Sequence, residues 1–376
     1  MRRTRSPIRH TLRLLQESSP QKHFLSNMTL VLGLLYNALG AFCAASFYIP
    51  FKKVRRWNWE TYWNVGNTLA YAVVPVVTAY LTVPDLLSVL RASPLSSMIY
   101  CSMFGFLWGI GNLLWGLSIR YLGLSLGYAV TMGSCAAFGT IMTPLYTGEL
   151  GALLTTTSGQ VSLGSVAVCL VGIAVCGWAG WAKERETSPS QLETSIGEFS
   201  FTKGMVVALL CGLLSACFEF GLRAGKPVAD RAVELGTNPN FKNNLVCMLL
   251  LVGGALSNFV WCIFLNLRNR TVKEYYRRQG VSLFSNYALC ALAGGLAYLG
   301  FMFYGMCAPK MGQYDFASWS IYMALIIAFS NIWGLVFREW QGSSKRTLVM
   351  IAAGMITLIA SVGIAGFGAY LASFPR

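Results

Sequence analysis

The chain has 376 residues, 55% of them hydrophobic and only 11% charged, where a soluble domain carries about a quarter charged. So few charges cannot cover a water-facing surface, which argues against a soluble enzyme or a nucleic-acid-binding domain. The net charge of +15, from 29 Lys+Arg against 14 Asp+Glu, fits loops that face the cytoplasmic leaflet and its anionic lipids.

Residues 1–27 are polar and basic, with Arg2, Arg3, Arg5, Arg9, Arg13 and Lys22. The apolar run behind them is too long for a signal-peptide core. They are therefore expected to be a disordered arm or an over-extended start. Apolar runs then recur at 28–50, 65–83, 97–119, 122–145, 161–181, 203–225, 243–267, 284–307, 315–336 and 348–371. Each is near the ~20 residues that cross a bilayer. They are expected to be helices, because hydrocarbon leaves backbone N–H and C=O groups unsatisfied. Barrel strands would alternate in polarity, and these runs do not.

Behind the first run stands FYIPFKKVRRWNWETYW (47–63), with four cations, three tryptophans and one acid, Glu60. Trp57, Trp59 and Trp63 are expected to anchor this loop at the lipid headgroups. Further on, Gly105 with Gly109, and Gly123 with Gly127, form GxxxG pairs that let helices approach closely. The polar stretch 182–202 reads as a linker between two five-helix units, 28–181 and 203–376. LGAFCAASFY (39–48) is similar to CGLLSACFEF (211–220), and WGLSIRYLG (115–123) to YGMCAPKMG (304–312). An odd number of spans per unit makes the two units inverted, a layout with substrate at the midplane between them. The fold expected is all-α and integral to the membrane: ten helices as two inverted five-helix repeats.

The eleven cysteines lie within or beside apolar runs without a CxxC pair, and both histidines, His10 and His23, precede the first run. The cysteines read as packing residues, and no metal or cofactor is expected. Intramembrane polar groups are the candidates for function. Glu219 and Arg223 lie four apart in the sixth run and form a possible ion pair, or else mark a wetted helix end. Asn112 and Trp115 share one face of the third run. An amide beside an indole suits a sugar's hydroxyls and C–H face, and Asn is equally common as glue between helices. Tyr304 matches Trp115 in the second unit. GQYDFASW (312–319) puts Gln313, Tyr314, Asp315 and Trp319 at the start of the ninth run, as substrate contacts or as an interfacial cap. No nucleophile–base pair or phosphate loop stands out, so an enzyme is not expected.

The chain resembles the L-rhamnose–proton symporter family of the drug/metabolite transporter superfamily. The resemblance runs from about Met28 to the C-terminus. FYIPFKKVRRWNWET (47–61), WGIGNLLWGLSIRYLG (108–123) and QYDFASW (313–319) carry most of it, supported by GTIMTPL (139–145), CGLLSACFEFGLRAGKP (211–227) and REW (338–340). It implies ten helices and uptake of a 6-deoxyhexose with protons across a bacterial inner membrane. The partners implied are a small sugar, protons and membrane lipids, with no nucleic acid. Asp315, shared with the family, and Glu219, peculiar to this chain, are the candidate proton carriers. The chain departs from the family pattern at Glu219 and Arg223, where the family has small or neutral polar residues, and at Trp115, where it has tyrosine. Export of small metabolites and non-transporting sugar sensing are the alternative functions.

Ten spans put both termini on one side of the membrane. After residue 27, about seven Lys+Arg fall on that side and about sixteen on the other. The positive-inside rule then places the KKVRRW loop in the cytoplasm and both termini outside; the six cations of residues 1–22 oppose this, making the totals about 13 against 16, and termini inside stays the alternative.

Overall fold

A computed structural model describes residues 20–147, 150–186, 198–277, 280–311 and 315–372. Among these residues every regular element is a helix and none is a strand. The long helices are α1 (Pro20–Ser46), α2 (Trp59–Thr82), α3 (Leu95–Thr147), α4 (Thr157–Glu186), α5 (Phe201–Ser215), α6 (Asn244–Arg268), α7 (Leu283–Met311), α8 (Asp315–Val336) and α9 (Lys345–Ala372). α1 reaches back to Pro20, into the residues assigned above to the arm. Eight segments among the described residues are long and apolar enough to cross a membrane, and Ile321–Val336 is a shorter apolar helix.

Polarity is inverted relative to a soluble protein. Asn37, Asn67, Asn112, Asn258 and Asn266 are buried, while Val31, Leu35, Leu256, Val260 and Leu335 point outward. Lipid solvates the apolar exterior, so association rests on close packing and on hydrogen bonds between helices. Gly105 on α3 illustrates the packing: a Cβ there would fall 2.0 Å from the Leu250 carbonyl oxygen of α6. Gly109 meets Gly254 and Ser257 of α6 equally closely. The Gly105/Gly109 pair therefore forms a helix–helix seam. Gly123/Gly127 does not, because Gly123 breaks its own helix with φ 82° and ψ 175°. Only glycine takes that backbone freely. The 53-residue α3 is thus two arms joined at Gly123, which is why the third and fourth apolar runs read as separate spans.

The break frees N–H groups at the start of the second arm, and one carboxylate takes them. Glu339 accepts from the Leu124 and Ser125 backbone N–H groups, each at 3.0 Å, and from Lys52 Nζ at 2.9 Å. Its side chain is 1% exposed. The turn behind α8 delivers it. Arg338 adopts φ 54°, and the Arg338 and Glu339 N–H groups bond back to the Leu335 and Gly334 carbonyls. That is the Schellman arrangement, with arginine in the left-handed position usually held by glycine.

Within α2 the residues Leu69–Val73 form a π-helical turn. Pro75 follows and has no N–H to donate to the Tyr71 carbonyl, so the ladder must adjust there.

The loop behind α1 is not a headgroup anchor. Trp57, Trp59 and Trp63 are 9%, 5% and 0% exposed, so the expectation of lipid-facing indoles is corrected. Their surroundings explain it. Trp57 meets Tyr287 edge-on at 5.0 Å, Trp59 stacks on Trp63 at 5.3 Å, and Trp63 Nε1 donates to Asn258 Oδ1 at 3.1 Å. The same loop clasps the one between α6 and α7. Asn58 donates its backbone and side-chain N–H groups to Glu274, Asn269 and Thr271 donate to Glu60, and Asn286 exchanges hydrogen bonds with the Arg55 backbone. Both carboxylates are buried, while Lys53, Arg55, Arg56, Arg270 and Lys273 stay exposed.

Candidate functional site

Where the helices converge they leave a cavity with an envelope of about 560 Å³. Its wall takes Phe47 from the turn behind α1, Tyr71 from α2, and Trp108, Trp115, Met132 and Cys135 from the two arms of α3. Ser215 is the last residue of α5, and Phe218 belongs to the short helix Cys217–Ala224 beyond it. Ala297 and Phe301 belong to α7, and Tyr322, Met323 and Ile326 to α8. Two aromatic groups frame the cavity. Tyr71, Trp108, Phe218 and Phe301 form one, with Phe218 and Phe301 stacked at 4.9 Å. Trp115 forms the other, edge-on to Phe47 at 5.4 Å and to Tyr128 at 5.1 Å.

Trp115 Nε1 is buried and has no hydrogen-bond partner among the described residues. Leaving a buried donor unpaired costs about 1–3 kcal/mol; Trp59 and Trp340 Nε1 are in the same state, and of the three indoles only Trp115 belongs to a cavity-lining residue. Ser215, Tyr71 and Tyr322 add hydroxyl groups to a wall that is otherwise apolar.

Asn112 stands one turn from Trp115 but does not line the cavity. Its Oδ1 accepts from the Tyr71 hydroxyl at 3.0 Å, and its Nδ2 donates to Asn258 Oδ1 at 3.1 Å. Asn258 is the centre of this network. Its Oδ1 also accepts from Trp63 Nε1 and from Asn67 Nδ2 at 2.9 Å, and its Nδ2 donates to the Gly109 and Gly254 carbonyls at 2.9 Å. The network ties α2, α3 and α6 into one wall. Sequence reading did not single out Tyr71 or Asn258. The signal for Asn258 was the one used for Asn112, an amide in the middle of an apolar run. Tyr71 carried no such signal, since its place depends on the π-turn.

The other residues read from the sequence scatter. Tyr304 packs on the cavity residue Tyr322, ring centroids 4.9 Å apart. Gln313 and Tyr314 lie outside the described residues. Asp315 and Trp319 lie in the first turns of α8, and their side chains lie outside the described residues. Glu219 and Arg223 do pair, Nε to Oε1 at 3.0 Å, but their side chains are 31% and 52% exposed. Glu219 stands about 18 residues, roughly 27 Å of helix, beyond Phe201, which puts the pair at the far end of the sixth span.

Outside the spans, burial pushes the Tyr275 phenol up to about 12, against the Asn64 amide that donates to it. The Glu186 carboxyl is held below its ordinary value chiefly by the Ser344 backbone N–H, with help from Thr347. It thereby caps α9 from the end of α4.

Comparison with known proteins matches residues 25–371 to the family model described as "L-rhamnose-proton symport protein (RhaT)". The L-rhamnose-proton symporter of Cronobacter sakazakii is 36% identical over 342 residues, 90% of this chain and 98% of that protein. The proteins of the same name from Yersinia pestis and Yersinia pseudotuberculosis are each 34% identical over 345 residues, 91% of this chain and 99% of theirs.

Proposed function

The chain belongs to the L-rhamnose-proton symport protein family, and we propose that it takes up L-rhamnose with protons across the bacterial inner membrane, through the cavity described above. It is a transporter and not an enzyme. The observation that supports the reading is the buried Trp115 N–H, without a hydrogen-bond partner among the described residues, on a residue that lines the cavity between the helices. A sugar oxygen satisfies that donor. The aromatic faces stack on the sugar's C–H surface. Met132, Met323 and Ile326 give an apolar wall suited to the methyl group of a 6-deoxyhexose. Tyr304 acts by positioning Tyr322, and Asn112 by positioning Tyr71. Gln313, Tyr314 and Trp319 are the remaining proposed sugar contacts.

The proposed architecture is ten crossing segments in two inverted five-helix repeats. Counting the arms of α3 as the third and fourth segments, and α5 and α8 as the sixth and ninth, gives ten. Three packing pairs support a two-fold relation between the units. α1 packs on α7, first segment on eighth, and α5 packs on the first arm of α3, sixth on third. α4 packs on α9, a pairing of fifth with tenth that maps onto itself. The cavity draws on the first, third and fourth segments of each unit, and on the second segment of the first unit alone, through Tyr71.

Asp315 is the proposed proton carrier and Glu219 the alternative, since the latter is partly exposed and already paired with Arg223. Both termini are proposed to lie outside, with the clasped loops in the cytoplasm. Membrane lipids surround the apolar faces.

Counterflow of labelled L-rhamnose in proteoliposomes tests the reading. Preloaded unlabelled L-rhamnose should drive transient uptake of label, which a sensor cannot do. No counterflow would remove transport of this sugar.

A further inference from the structure

We propose that Tyr71 is a specificity-determining residue of the cavity, fixed as a hydrogen-bond acceptor that demands a donating hydroxyl from the sugar. The inference rests on the reading of the cavity as the L-rhamnose site.

It follows from the bonding capacities along one chain of groups. Trp63 Nε1 can only donate, and the Gly109 and Gly254 carbonyls can only accept. Asn258 lies between them, with Oδ1 3.1 Å from the indole and Nδ2 2.9 Å from both carbonyls. Turning its amide over would set donor against donor and acceptor against acceptor. The Asn258 orientation is therefore imposed, and its Oδ1 faces Asn112. Asn112 must present Nδ2 to that oxygen, at 3.1 Å, so its own Oδ1 turns to Tyr71. An amide oxygen only accepts, hence the Tyr71 hydroxyl donates, at 3.0 Å. Asn112 is not a lining residue, whereas Tyr71 is. The phenol's single proton is thus committed to the protein, and the phenol oxygen offers the cavity lone pairs alone. The group is rigid: Tyr71 is 1% exposed and held edge-on by Trp108, and it sits inside the π-turn Leu69–Val73.

The cavity then carries two polar groups of opposite and fixed sense. Trp115 Nε1 is a donor with no partner among the described residues, and the Tyr71 oxygen is an acceptor. A sugar must place an oxygen on the first and an O–H on the second. A site with fixed polarity discriminates strongly, because a ligand lacking the complementary group leaves a buried polar atom unpaired. Asn112 and Asn258 act through Tyr71 as positioning residues.

The test is a set of binding titrations on the purified full chain. The ligands are L-rhamnose and its analogues with each hydroxyl in turn replaced by hydrogen or by fluorine. Fluorine accepts weakly and cannot donate. For the wild-type chain, one hydroxyl position should lose about tenfold in affinity equally with hydrogen and with fluorine. In Tyr71→Phe the penalty at that position should vanish, while a penalty at a second position persists and vanishes only in Trp115→Phe. The persisting penalty doubles as evidence that Tyr71→Phe is folded. Asn112→Leu supplies an independent variant. It releases the phenol proton, so the fluorinated analogue should bind better than the deoxy one at the Tyr71 position. Deoxy penalties unchanged in Tyr71→Phe, or fluorine outperforming hydrogen at every position of the wild-type chain, would overturn the proposal while leaving L-rhamnose as the ligand. No binding of L-rhamnose by the wild-type chain would overturn the reading of the cavity and this inference with it.

Discussion

A proton carrier needs a carboxylate that is neutral in part of the cycle. Desolvation raises a carboxylate's pKa, whereas a neighbouring cation lowers it. Glu219 has its cation 3.0 Å away and is nearly a third exposed. Exposed pairs of this kind contribute about 0–1 kcal/mol, so the pair is a minor element of stability. Asp315, at the start of α8, is the carrier proposed. Asp315→Asn is expected to abolish gradient-driven accumulation of L-rhamnose while sugar exchange continues in part. Full accumulation by that variant, measured with labelled sugar, would return the role to Glu219. At this scale the sequence was legible by residue type and not by partner. Asn112 read equally as a sugar ligand and as glue, because the groups that bind its amide come from α2 and α6. Asn258 is 146 residues away along the chain, and no local pattern announces that contact. Trp115 was legible as an indole on an apolar face. Its unpaired N–H was not.

The break at Gly123 matters more than the length of α3. The break at Gly123 puts bare N–H groups beside Glu339, and Lys52 closes the site from the end of the first span. One side chain therefore holds together the turn behind α8, the second arm of α3 and the loop behind α1. Removing one member of a buried, hydrogen-bonded charge pair costs about 3–5 kcal/mol. Glu339→Gln loses the charge and turns an amide N–H₂ towards donors. Its thermal midpoint in detergent should fall well below that of the wild-type chain, and an unchanged midpoint would show that Glu339 does not hold this junction. Apolar runs located most of the long helices, because exposure to lipid selects for apolar composition; the ends were off by up to ten residues, as at α1, which starts at Pro20, and at α5, which stops at Ser215. The sense of Gly123 was not recoverable: as half of a GxxxG pattern it resembled Gly105 and Gly109, and only φ distinguishes a seam from a break. The tryptophans of the KKVRRW loop misled for a related reason. Indoles near cations suit headgroups, and here they suit a clasp whose acids, Glu60 and Glu274, are turned inward.

For the whole molecule, the long helix contacts join the chain before residue 187 to the chain after residue 198. Neither proposed unit buries its polar face alone, so the cavity exists only when both are present. The clasped loops also gather the exposed cations at one end, with their acids internal. The positive-inside rule puts that end in the cytoplasm. Gln341→Cys, in the loop behind α8, should resist a membrane-impermeant thiol reagent in intact cells. Ser96→Cys, on the opposite side, should react. The reverse pattern would invert the orientation and leave the fold as it is.

Uphill transport is the most direct measure of a proton-driven L-rhamnose cavity. Proteoliposomes containing the wild-type chain should accumulate labelled L-rhamnose above its external concentration when the outside is made acidic. A protonophore should abolish the accumulation, and unlabelled L-rhamnose should compete with the label. Uptake that only equilibrates, indifferent to the imposed pH gradient, would contradict proton coupling, and no uptake at all would contradict transport.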